Sequence, residues 1–171
     1  MAVTLVEHSS EWALLLQREA ALLSDALAPW LAGRVEHIGS TAVPGLTSKP
    51  VVDMPAPVLA LHDAGGSIPA LEAFVYRHED HRRHEALWFH KQDGDDYQRR
   101  THQLHLTERT SALWRERLTF RDPLLQDPVL RDQYEAVKRT AAAQADSLAD
   151  YNHGKREFIA NVLRHHGVEL D

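Results

Sequence analysis

From Ser9 onward, Trp12, Leu15, Leu16, Leu22, Leu23, Ala26 and Leu27 recur at helical spacing. This predicts an amphipathic first helix with serines to cap its start and Pro29 to stop it. After Gly33 the pattern shortens. Val35 to Ile38 is β-prone and runs into Gly39-Ser40, which predicts a strand entering a tight turn, and a second strand follows at Val51 to Val58. Pro50, Pro55 and Pro57 cannot donate to a sheet ladder, so only Val51 to Met54 is secure and the later part belongs at an edge or bulge. Beyond Gly65-Gly66 the chain reads as a short helix at Ile68 to Ala73. Strands are then expected at Phe74 to Arg77, Ala86 to Lys91 and Thr101 to Thr107, the last two joined across a polar Asp93-Gly94-Asp95-Asp96 turn.

The final third is helical by pattern. One helix is expected near Ser111 to Phe120. Another starts at Pro128, with Asp127 as N-cap and Leu130, Tyr134, Val137 and Ala141 as its apolar stripe; a last helix at Lys155 to His166 ends on Gly167. No internal repeat, low-complexity tract or linker stands out. The order of helix, strands and helices predicts an α+β fold, a mixed sheet with helices packed on it, in one domain over residues 1–171.

Composition narrows the function classes. A chain of 171 residues, 43% hydrophobic, is long enough to bury one substantial core. A net charge of −6 argues against bulk nucleic acid as the main partner, because counterion-release binding needs a concentrated basic surface. Cysteine is absent, which removes disulfides and thiolate metal sites and suits a reducing, cytoplasmic setting. Glu7 and His8 interrupt the N-terminus before any apolar run of signal-peptide length, and no stretch approaches the roughly 20 apolar residues of a membrane span. Oligomeric state is not encoded in these patterns.

The chemistry concentrates between Glu36 and Asp53. Gly39-Ser40 at the end of a strand offers a closely approachable backbone, a hydroxyl and N–H donors, which suits a phosphate. Twelve residues separate Ser40 from Asp53, which follows the apolar pair Val51-Val52 and so projects from a neighbouring strand near the same end of the sheet. A carboxylate beside phosphates is a natural ligand for Mg²⁺.

The string from His37 to Asp53, HIGSTAVPGLTSKPVVD, resembles the signature of the GrpB family of small nucleotidyltransferase-like proteins. The likeness continues through RTHQLHL at Arg100 to Leu106, LTFRD at Leu118 to Asp122, the pair Tyr134 and Lys138, and Tyr151, Lys155 and Phe158. It implies a fold similar to the minimal catalytic domain of DNA-polymerase-β-like nucleotidyltransferases. There a Gly-Ser turn binds triphosphate, and strand-borne carboxylates hold divalent metal for in-line attack on the α-phosphate. Gly39, Ser40 and Thr41 map onto the phosphate site and Asp53 onto the metal site.

Two departures alter that scheme. The superfamily's second acid, two residues after the first, is replaced by Pro55, and the segment expected to carry the third carboxylate offers histidines. Period-2 alternation puts Thr101, Gln103 and His105 on one face and His102, Leu104 and Leu106 on the other, so His105 with Gln103 looks toward Asp53. An Asp–His pair suits Mn²⁺ or Zn²⁺ better than Mg²⁺; the competing role for His105 is a structural hydrogen bond. Lys49, Arg100, Arg121, Lys138 and Lys155 lie in the matched segments and are candidates, as a group, for phosphate contacts. The dense His78, His81, His84 and His90 run reads as a solvated connection, and Trp88 and Phe89 alternate faces.

The expected activity is metal-dependent nucleotidyl transfer from a nucleoside triphosphate to an unidentified small-molecule or protein acceptor. The alternative is a catalytically silent nucleotide-binding or accessory module. GrpB-like domains also occur fused to dephospho-CoA kinase, and this chain lacks a kinase P-loop.

Overall fold

The computed structural model describes residues 3–93 and 100–170. Among them are five helices, α1 (Glu11–Ala26), α2 (Ile68–Glu72), α3 (Ala112–Gln126), α4 (Pro128–Gln144) and α5 (Leu148–His165), and four strands, β1 (Val52–Val58), β2 (Arg77–Glu79), β3 (Leu87–Gln92) and β4 (Arg100–Glu108). The strands form one sheet in the order β1-β4-β3-β2, with β1 parallel to β4 and the other pairs antiparallel. This is a mixed sheet in an α+β fold with a helical C-terminal third. Gly94 to Asp96 of the expected turn lie outside the described residues.

Strand register divides the sheet into two unlike faces. Met54 pairs with Leu104, Ala56 with Leu106, and across β4 these meet Phe89 and Leu87. This apolar face packs against Trp12 and Leu23 of α1 and against Leu27 just beyond it. Met54, Ala56, Leu104 and Leu106 are fully buried, and at roughly 1.5–3 kcal/mol per buried large apolar side chain this layer fixes which face is interior. The opposite face carries Asp53, Gln103, His90, His105 and Trp88.

The two prolines of β1 face away from β4. The preceding extended segment donates into that edge one way only: Ala32 N–H to Pro57 O at 2.7 Å, Glu36 N–H to Pro55 O at 2.9 Å and Ile38 N–H to Asp53 O at 3.0 Å. The prolines return no donors, so the strand expected at Val35 to Ile38 is reduced to an isolated bridge between Ile38 and Asp53. The rest of β1 keeps its ladder with β4 as far as Val58.

Other boundaries also move. No strand forms at Phe74 to Tyr76. Phe74 and Val75 donate back to Leu71 and Glu72, Val75 takes a left-handed φ of 63°, and β2 begins only at Arg77. Leu15 is exposed rather than part of the α1 stripe. α3 continues through Pro123 to Gln126 because Leu124 packs into a second core with Val43, Leu46 and Tyr134. α5 starts seven residues before Lys155, capped by Ser147, whose hydroxyl accepts the Asp150 N–H at 3.1 Å. Gly154 sits within it because a Cβ there would lie 2.9 Å from Ala141 Cβ of α4, so the glycine permits a close helix crossing. Asp127 caps α4 as expected, accepting from the N–H groups of Val129 at 2.8 Å and Leu130 at 3.2 Å.

The C-terminal helices are tied to the loop after Gly39 by a clamp on one residue. Glu135 accepts both the Thr47 N–H at 3.0 Å and the Thr47 hydroxyl at 2.7 Å, while Lys138 donates to the Thr47 carbonyl. Lys138 is 0% exposed, and Glu135, at 3.4 Å, is its counter-charge. Glu135→Gln should therefore strand a buried charge and lower stability by about 3 kcal/mol, read as an earlier urea midpoint. Adding Lys138→Met should restore much of the loss. An unchanged midpoint in Glu135→Gln would contradict the clamp.

Candidate functional site

A cavity of about 1020 Å³ lies between the polar face of the sheet and helices α3 and α5, with Gly39, Ser40, Asp53, Gln103 and His105 on one side and Arg117, Tyr151 and Lys155 on the other. Gly39 has φ 73° and ψ −176°, and a Cβ there would stand 2.7 Å from Asp53 Oδ2. Glycine is required twice over, for the left-handed backbone and for the approach to the carboxylate. Ser40 is half-buried beside the Tyr134 hydroxyl. Thr41 is 3% exposed, and its hydroxyl donates to Val51 O at 3.1 Å and lies 3.0 Å from His37 Nε2. Thr41 thus braces the turn against the start of β1.

Asp53 and Gln103 are paired in register across β1 and β4. With its amide nitrogen turned to the carboxylate, Gln103 donates to Asp53 Oδ1 at 2.8 Å and its oxygen accepts from Arg100 at 3.3 Å. Arg100 is in turn hydrogen-bonded to Glu79. Burial pushes the Asp53 carboxyl above its ordinary range, an effect that Lys49, Arg117 and Lys155 oppose.

His105 sits one register step along, opposite Pro55, and shares the cavity wall with Asp53. It is 6% exposed, and the Trp88 ring packs against it at 4.3 Å. Its Nδ1 is closed off from solvent without a hydrogen-bond partner. Burial, helped by Arg117, pulls the imidazole down to about 3, so it is neutral at ordinary pH.

The fit to a metal is limited. Among the described residues no group of three or more His, Asp or Glu side chains is placed to hold an ion. Asp53 and His105 offer fewer protein ligands than the three or four usual for Zn²⁺. One Mg²⁺ or Mn²⁺ fits at Asp53 if phosphate oxygens complete its shell, since such ions commonly take only one or two protein carboxylates.

Of the five cations singled out in the sequence, Lys49, Lys155 and Arg121 reach the cavity wall. Arg121 is occupied there by Glu36 Oε2 at 2.8 Å, His37 O at 2.9 Å and Asp122, and so fastens α3 to the segment leading into the turn. Lys138 is committed to Thr47 and Glu135, and Arg100 lies with Glu79 and Gln103. Arg117 joins the group although the sequence did not single it out; its spacing of four from Arg121 was the available signal. Lys155 Nζ stands 3.8 Å from the centre of the Tyr151 ring. Burial first, then Lys49, Lys138 and Arg117, depress this ammonium to about 7 against the opposing pull of Asp53. Lys49 is shifted down as well, mainly by burial. The His78 to His90 run is split, with His81 and His84 exposed and His90 buried on the sheet.

A lysine depressed in the folded chain destabilises it while protonated, and the penalty is relieved as pH rises from about 7 toward the unfolded value near 10.5. Lys155→Met should therefore be more stable than the parent at pH 6, by on the order of 1 kcal/mol. The gap should shrink by pH 9. Equal gaps at both pH values, measured by chemical denaturation, would contradict the assignment.

A family profile described as "GrpB protein" matches residues 2–165. A UPF0157 protein of Halalkalibacterium halodurans is 36% identical over 166 residues, covering 95% of this chain and 82% of its own. The crystal structure of conserved protein GrpB from Enterococcus faecalis has a similar fold, with a TM-score of 0.81 and 24% identity over 96% of this chain and 99% of that one. The Cid1 poly(U) polymerase crystal structure overlaps more distantly, at a TM-score of 0.44 and 12% identity over 86% of this chain and 48% of that one. Motif, profile and relatives agree: the chain belongs to the GrpB family.

Proposed function

We propose that the cavity binds a nucleoside triphosphate and that the chain transfers its nucleotidyl group to a small-molecule or protein acceptor. The observation that carries this reading is the meeting of the Gly39-Ser40 turn, the Asp53 carboxylate and the cations Lys49, Arg117 and Lys155 in one cavity. Lysine and arginine around a closely approachable turn make a receptor for an extended anion. In the reaction an acceptor oxygen bonds to the α-phosphorus, the bond to the β-phosphate oxygen breaks, pyrophosphate leaves and the acceptor's proton passes to solvent. A single Mg²⁺ or Mn²⁺ held by Asp53 and phosphate oxygens would supply Lewis-acid polarisation. His105, neutral, would line the site without contributing charge.

A second reading, a nucleotide-binding accessory module without catalysis, is favoured by Pro55 standing where the second acid is expected and by the lack of a carboxylate from Thr101 to Leu106. Thermal melts with ATP, GTP, CTP and UTP, with and without Mg²⁺ or Mn²⁺, should show a rise in Tm with at least one nucleotide. The rise should be lost in Gly39→Ala. No shift with any nucleotide would overturn both readings; pyrophosphate release with a labelled acceptor selects transfer over the silent module.

A further inference from the structure

We propose that Lys49, Arg117 and Lys155 supply the charge that holds the triphosphate, so that nucleotide binds this cavity without a divalent metal. The inference rests on the reading of the cavity as a triphosphate site and concerns what neutralises the ligand there.

Three observations support it. First, the cations arrive from separate elements, Lys49 from the loop before β1, Arg117 from α3 and Lys155 from α5, and all three act on the one carboxylate of Asp53. Second, none of their side chains makes a hydrogen bond or ion pair with another described residue, whereas the neighbouring cations are committed: Lys138 to Thr47 and Glu135, Arg121 to Glu36 and Asp122. Lys155 lies over the face of Tyr151. A group of like charges facing one acid is costly to keep together unless an anion completes it. The groups facing Lys155 are Asp53 from β1, Lys49 from the loop, Arg117 from α3 and Lys138 from α4, and three of these four repel it.

Third, the side chains that would bring metals are missing where the sheet would present them. Pro55 follows Asp53 on the site's own strand, and the in-register neighbour on β4 is Gln103, an amide that occupies one carboxylate oxygen. Positive charge is instead supplied at the wall by Lys49, Arg117 and Lys155. Glu85 and Glu116 also line the cavity, and neither is without a partner; Glu85 is paired with Arg82.

The test is calorimetric titration of ATP and of inorganic tripolyphosphate into the full chain in EDTA, and of ATP again with Mg²⁺. The expected result is a Kd for ATP in EDTA within about threefold of that with Mg²⁺, and tripolyphosphate binding in EDTA. Lys155→Met and Lys49→Met, each checked for intact folding by circular dichroism, should weaken ATP about tenfold or more in EDTA. Binding that appears only with Mg²⁺, or that survives both substitutions unchanged in EDTA, would overturn the inference while leaving the triphosphate site standing. Failure of every nucleotide and of tripolyphosphate under all conditions would remove the site reading as well.

Discussion

The two-faced sheet is the constraint on which the rest of the molecule depends. Met54, Ala56, Leu104, Leu106 and Phe89 are buried beneath α1, and a slip of one residue in β1 or β4 would exchange that layer for Asp53, Gln103 and His105. The cost of such a slip is the whole apolar layer. Packing on one side therefore holds the chemistry on the other, and the register that buries Met54 against Leu104 also sets Asp53 beside Gln103.

On that frame the chain assembles a cavity from parts distant in sequence. The one-way hydrogen bonds into the proline edge of β1 deliver Gly39 to the Asp53 carboxylate. Thr41 braces the turn, Arg121 fastens α3 to the segment before it, and the Glu135–Lys138 clamp on Thr47 fixes α4 to the loop after it. These contacts use up their own charges. What remains around Asp53 is the set of cations Lys49, Arg117 and Lys155, the arrangement on which the proposed triphosphate site rests.

Much of this was legible in the sequence, for specific reasons. The alternation in β4 identified the polar row of Gln103 and His105, and the Gly-Ser turn and Asp53 formed a contiguous string. Pro55 and Pro57 pointed to an edge, although their effect on the partner segment emerged only from the direction of its hydrogen bonds. Lys138 is a phosphate candidate by its place in a matched segment, whereas its burial depends on Thr47, which is distant in sequence and so leaves no local signal. α5 extends further toward its N-terminus than the apolar pattern indicates, and Gly154 within it is accounted for only by the close approach of Ala141. Arg117 was not among the candidates because these came from the matched segments, and LTFRD begins one residue after it.

The most direct measurement is a crystal structure of the chain with a non-hydrolysable nucleoside triphosphate analogue. The expected result is the phosphate chain lying between the Gly39-Ser40 turn and Lys155, with Lys49 and Arg117 within hydrogen-bond distance of its oxygens. An analogue bound elsewhere on the molecule, with this cavity holding only water, would contradict the assignment of the site.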